Sequence, residues 1–446
     1  MKKKHFEHSV LRRVYFLILG VGFVLSFGAC KDNEKDGERV VEPEFISPSP
    51  KAETYDMQVA SEWNELHLNL LKNNQSITSL SAARSLGYVN LALYESIVNG
   101  TENSSLVNKL RGFNFVPQAN DSLEYNWGLA ANVAQYTLIQ SFFPKASATE
   151  NAQIDALLSK YEKAFRTNSS QEVIKRSIEF GAAVANAVWG YARQDGLNGT
   201  DSLLFDKNYV FPSGLGVWEP SPSLIKPLLP QWKLLRPMIF SNKYLSATRI
   251  VPFSYRKESA FFDEANRVYE ASKVITAIQE EKSKYWVGNE LGNNAVRNIF
   301  GILSNSINSK DLKLDEASKL YLKGAILVYD GSIAVWRNKF ETNLVRPDTY
   351  IKETLDKNWQ PNLGSSYSPS FPSFAATLAG GIGKLIQDEL GGSIQTPFAP
   401  TPITVADFKN EVVTAVVKSG TNFAMSAESG YKLGEQMMEN TAAFEF

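Results

Sequence analysis

Two cations seven positions apart, Lys339 and Arg346, are followed at once by Pro347. A helix turns about 100° per residue, so such a pair shares one face with its charges roughly 10 Å apart along the axis. Pro347 is expected to end that helix just beyond Arg346. Arginine offers a planar fork of donors and lysine a mobile point charge, so the two arms can close on a single tetrahedral oxyanion. The plain alternative is two solvated helix cations. Acid–base or nucleophilic chemistry on a bound anion ordinarily calls for histidine near neutral pH. The chain has three histidines, His5, His8 and His67. Two lie at the extreme N-terminus, and His67 sits in an amphipathic helical pattern, where a lone histidine usually packs.

Ser373 follows Pro372 and precedes the apolar run 374–386, the pattern of a helix N-cap. Free N–H groups and the positive helix end there would add to an anion site, or Ser373 would only cap its helix. The ring of Phe374 opposes close approach of a ligand to the backbone. The carboxylates Glu179, Asp195, Asp263, Glu264, Asp330 and Asp348 show no metal-ligand spacing. No metal site is expected from them, although oxygen-ligated calcium or magnesium stays open. No nucleophile elbow, Walker loop or dinucleotide fingerprint is present.

The run 329–352, then Trp359-Gln360-Pro361, then 369–377, resembles the vanadium-dependent haloperoxidase and type 2 phosphatidic acid phosphatase superfamily. That family follows Lys-x6-Arg-Pro with Pro-Ser-Gly-His and then with an arginine–histidine–aspartate segment. Here the first motif stands as Lys339, Arg346 and Pro347, and the second keeps Pro372 and Ser373. Phe374 replaces the glycine and Ala375 the histidine. The third aligns with 415–426 through Gly420, Gly430 and Gly434, which puts Val416 at the arginine, Asn422 at the second histidine and Ser426 at the aspartate. The segments 63–72, 82–97, 177–196 and 216–223 and the Tyr285-Trp286 pair also fit, so the resemblance spans roughly 56 to 440.

The resemblance implies phosphate or vanadate chemistry at this site; no cofactor is expected, with vanadate open only as what the haloperoxidase branch of the resemblance implies. No catalytic residue is assigned, since both histidine positions are replaced. Three readings follow. The first is a catalytically impaired protein binding phosphate or a phosphate-bearing small molecule through Lys339, Arg346 and Ser373. The second is an active phosphatase or haloperoxidase with an atypical nucleophile. The third is a non-enzymatic surface scaffold whose partner is another surface protein.

The elements that must position these residues begin with an export signal. Three lysines and Arg12-Arg13 precede the apolar run 14–29, a signal-peptide pattern too short to span a membrane comfortably. The sole cysteine, Cys30, follows Gly28-Ala29 and resembles a lipidated bacterial lipoprotein cysteine, although Phe27 departs from the usual leucine. Residues 31–36 resemble the acidic surface-export tag of Bacteroidetes lipoproteins. The expectation is a lipid anchor at Cys30 in the outer membrane, with the protein facing outward or inward. Removing residues 1–29 takes five basic residues and one acidic one from totals of 46 and 47, leaving 41 against 46 and a net charge near −5. That balance argues against nucleic acid.

Residues 30–55 read as a tether, 56–256 as an N-terminal helical part, and 257–446 as a C-terminal part carrying the motifs. The expected fold is all-α, with haloperoxidase-like helical bundles and a long Pro/Trp-rich connection near 197–256. The apolar periodicity predicts helices over 57–73, 79–98, 126–143, 149–166, 170–194, 259–285, 290–307, 314–345, 374–390, 404–419 and 426–442.

Overall fold

The computed structural model describes residues 48–74, 76–197, 205–206, 208–220, 226–248 and 250–446. The expected signal peptide, Cys30 and most of the expected tether lie outside the described residues. The described residues from 48 to 446 belong to one compact unit. Its helices are α1 (Gln58–Asn73), α2 (Ser79–Ile97), α3 (Trp127–Phe142), α4 (Ala148–Arg166) and α5 (Gln171–Ala192). After the connection come α6 (Ala260–Lys273), α7 (Ala277–Trp286), α8 (Asn294–Asn308), α9 (Leu314–Thr342), α10 (Pro347–Thr354), α11 (Phe374–Glu389), α12 (Val405–Lys418) and α13 (Ala424–Ala442). Among the described residues the only paired strands are β1 (Ser393–Ile394) and β2 (Ile403–Thr404), which are antiparallel. The protein is all-α.

Eight of these helices start where a short polar side chain takes up a free N–H group. Thr78, Asn126, Ser147, Ser170, Ser259, Thr276, Ser373 and Thr404 each accept from a backbone N–H of the first turn. The helix expected over 259–285 is two helices. Val274, Ile275 and Thr276 form a β-branched run that disfavours the helix, and Thr276 opens α7 with a capping box to Gln279.

Helix α9 is buried on every side from Tyr321 to Trp336, the mark of a central helix rather than a surface one. It packs against α2, also buried almost throughout, and against α11. The described part of the connecting segment is fastened to α9 by polar anchors. Trp232 Nε1 donates to Ser332 Oγ at 2.8 Å, and Trp336 Nε1 donates to the Leu228 carbonyl at 3.0 Å. The Asp330 carboxylate accepts from the N–H groups of Met238 and Ile239 at 2.7 and 2.9 Å and from Asn242 Nδ2 at 3.0 Å. Burial pushes this carboxyl up to about 7, against the opposing pull of those donors.

Packing begins before residue 56. Ala52 is fully buried, and Trp127 Nε1 donates to the Pro50 carbonyl at 2.8 Å, so residues 50–55 dock on the body instead of extending the tether. At the other end of the fold, α11 and α13 approach closely through small residues. A Cβ on Gly430 would stand 2.6 Å from the Ser373 carbonyl oxygen, and one on Gly434 would collide with the Thr377 carbonyl. That closeness fixes the N-terminus of α11, where Ser373 and Ala375 lie.

Candidate functional site

Lys339 and Arg346 do not share a helix. Helix α9 stops at Thr342, because Asn343 takes the left-handed conformation at φ 46°, which asparagine tolerates better than most residues. The chain then runs extended, with the Trp218 N–H donating to the Asn343 carbonyl at 2.7 Å and the Val345 N–H to the Gly216 carbonyl at 2.8 Å. Arg346 becomes the N-cap of α10, with Pro347 at its first position, where a missing N–H costs nothing. The proline therefore opens a helix where the spacing argument has it closing one. The side chains of Lys339 and Arg346 still face one cavity.

Four side chains around the site bind the successive carbonyls of the buried segment 368–371. Arg346 Nε donates to Ser368 at 2.7 Å and Lys339 Nζ to Pro369 at 2.5 Å. Asn422 Nδ2 donates to the Ser370 carbonyl, and Thr342 Oγ1 to that of Phe371 at 3.4 Å. The Phe371–Pro372 peptide bond is cis.

Arg346 is 2% exposed, and every one of its N–H groups has a protein acceptor. Besides Nε, Nη1 donates to the Thr421 carbonyl at 2.7 Å and to Asn422 Oδ1 at 3.2 Å. Nη2 donates to Glu290 Oε1 at 2.6 Å and to Ser368 Oγ at 3.0 Å. A guanidinium has five N–H donors, so none is left over. Glu290, from the turn between α7 and α8, has both oxygens engaged. Oε1 also accepts from Ser368 Oγ at 2.8 Å, and Oε2 from the Tyr367 N–H at 2.7 Å.

Lys339 is 1% exposed. Burial holds its ammonium well below the usual lysine value of 10.5, the charge of Arg346 adds to that, and Glu290 opposes it. Ser373 caps α11, with Oγ accepting from the Ala376 N–H at 3.4 Å. Phe374 meets Trp336 edge to face at 5.6 Å and walls the cavity on that side. The cavity volume is about 50 Å³. One water needs at least roughly 10–15 Å³ by this measure, so the space suits one small ion or a few waters.

Of the residues singled out by sequence, Lys339, Arg346, Ser373, Ala375 and Asn422 all line this cavity. Val416 lies in the hydrophobic core and does not line it, and Ser426 is buried behind Ser373, accepting the Ser373 N–H through its carbonyl at 3.0 Å. His67 is elsewhere, fully buried, with Nε2 2.9 Å from Ser85 Oγ and its edge-to-face partner Phe143 at 5.4 Å. Burial lowers its pKa to about 3. Glu290 and Ser368 are the residues that sequence reasoning missed. Nothing in their spacing marks them; the one available signal is that a buried arginine needs an acid.

The residues present do not fit a vanadate held by a histidine ligand. Among the described residues no histidine lines the cavity, and Arg346 has no donor unused.

No family model matches the chain, and no curated protein matches its sequence. Solved structures do match. A bacterial vanadium-dependent iodoperoxidase superposes with TM-score 0.75 at 19% identity, over 88% of this chain and 97% of that one. A bacterial vanadium-dependent chloroperoxidase matches in its holo form with TM-score 0.60 and in its apo form with 0.63. Both are 16% identical over 83% of this chain, covering 93% and 94% of theirs. This chain therefore has the all-helical fold of the vanadium-dependent haloperoxidases.

Proposed function

We propose that this protein is an exported, lipid-anchored member of the haloperoxidase and phosphatase superfamily that has lost catalysis and kept an anion pocket. What supports the reading is the convergence of Lys339, Arg346, Ser373 and Asn422 on one cavity where alanine and asparagine stand at the two histidine positions of the resemblance. Asn422 exchanges hydrogen bonds but does not titrate near neutrality, and Ala375 offers no functional group. The ligand class is a tetrahedral oxyanion, phosphate or a small phosphate-bearing molecule. The N-terminal pattern supports outer-membrane attachment through Cys30; labelling with radioactive palmitate, lost in Cys30→Ser, tests it.

Calorimetric titration with phosphate, beside phosphatase and halide-oxidation assays, tests the pocket. Saturable binding that Lys339→Ala removes, without turnover, is the expected result.

One observation favours a second reading, that of a non-enzymatic interaction subunit. All the donors of Arg346 and one of Lys339 serve the protein's own carbonyls, the Ser368 hydroxyl and Glu290, as in a purely structural polar core. That reading expects no phosphate binding and a surface protein recovered by crosslinking.

A further inference from the structure

Glu290 occupies the position an anion would take on Arg346. Its Oε1 receives one N–H of the guanidinium and the hydroxyl of Ser368, and its Oε2 receives the backbone N–H of Tyr367. These are three converging donors of the kind that hold a phosphoryl or sulfuryl group. The carboxylate arrives from a different part of the chain, 56 residues before Arg346 and 78 before Ser368. Its side chain is 21% exposed, whereas that of Arg346 is 3% exposed, so the acid lies on the solvent side of the pair. Gly288 and Gly292 flank it, and Gly288 is at φ 61°.

We infer that Glu290 is an internal counter-ion that competes with ligands for the Arg346 end of the pocket and so sets which anions enter. The inference rests on the anion-pocket reading above. Without a ligand, Glu290 neutralises a buried cation that would otherwise be costly to leave unpaired. An entering oxyanion must displace it, because Arg346 has no other N–H to offer. Carboxylate ligands merely repeat what Glu290 already does. A tetrahedral anion has further oxygens, which can accept from Lys339 Nζ, a group with three N–H bonds and one assigned acceptor, Pro369. The pocket is thereby biased toward phosphate and sulfate over acetate or formate.

The full chain, its Glu290→Gln variant and the Glu290→Gln/Lys339→Ala double variant are titrated with inorganic phosphate, sulfate and acetate. We expect phosphate to bind Glu290→Gln at least tenfold tighter than wild type, acetate to change less than phosphate, and Lys339→Ala to cancel the phosphate gain. Equal phosphate affinity in wild type and Glu290→Gln overturns the inference while leaving the pocket reading in place. Absence of phosphate binding in all forms overturns both. Should Glu290→Gln not fold, a crystal structure of the wild-type protein at saturating phosphate decides. Glu290 moved out of reach of Arg346 supports the inference, and phosphate bound beside an intact pair overturns it.

Discussion

Glu290 Oε1 lies 2.6 Å from Arg346 Nη2, so the arginine at the centre of the motif region is paired inside the protein. Pairing of this kind is weak evidence for net stability, but breaking it from one side is expensive. Arg346→Ala is expected to cost about 3–5 kcal/mol, since it strands Glu290 and several carbonyls. Glu290→Gln keeps an acceptor for Arg346 and should cost about 1 kcal/mol. Urea unfolding of Glu290→Gln, Arg346→Ala and the Glu290→Gln/Arg346→Ala double variant measures the coupling. A value near zero would mean the two residues act independently.

Lys339 gives a test of opposite sign. Its ammonium is held well below the ordinary 10.5 by burial and by Arg346. Between the lowered value and 10.5 the unfolded chain binds a proton that the folded protein does not, so wild-type stability rises with pH across that window. Lys339→Met should abolish the rise and be more stable at neutral pH by about 1–2 kcal/mol. Chemical unfolding from pH 7 to 10 checks both expectations; a parallel pH profile in the variant would contradict them.

Anion binding should take up protons for the same reason. An oxyanion beside Lys339 favours its charged form, which raises the lowered pKa. Sulfate is the useful probe because its own charge is constant from pH 5 to 9. Its affinity is expected to fall as pH rises through the lowered Lys339 pKa. Calorimetry in buffers of different ionisation enthalpy should record uptake of up to one proton, and none in Lys339→Met.

Much of this arrangement is written in the sequence, and its omissions have physical causes. The spacing of apolar residues and the Ser and Thr caps mark most helices to within a few residues, because those signals are local. Lys339, Arg346 and Ser373 emerge from spacing and pattern, Ala375 and Asn422 from the family resemblance, and all five line one cavity. The break after Thr342 is not legible, since it depends on Asn343 adopting φ 46° while its carbonyl accepts the Trp218 N–H. Glu290 is not legible either. Its role arises from a contact between distant segments, with no periodicity or motif to announce it.

His67 makes the fold acid-sensitive. Its folded pKa of about 3 lies below the ordinary 6.5, so between those values the unfolded chain gains a proton that the native imidazole refuses. Stability contributed by this difference is intact above pH 6.5 and is lost as pH falls toward 3, at up to about 1.4 kcal/mol per pH unit. His67→Leu should flatten the loss between pH 6.5 and 4. Melting temperatures measured across that range test this; identical slopes would mean His67 is protonated in the native protein.

Gly434 lets α13 lie against α11, because a Cβ there would collide with the Thr377 carbonyl. Gly434→Ala should cost about 1–3 kcal/mol through overpacking. It should also weaken phosphate binding, because α11 carries Ser373 and Ala375. Unchanged stability and affinity would show that the helices separate without cost.

Whether the anion pocket is without catalysis is decided by turnover. Purified full-length protein is assayed for p-nitrophenyl phosphate hydrolysis and, with added vanadate and peroxide, for halide oxidation, beside Lys339→Ala and Arg346→Ala. Wild-type rates no higher than those of the two variants are expected. Turnover by wild type that Lys339→Ala abolishes would contradict that expectation and would identify the cavity as a working active site.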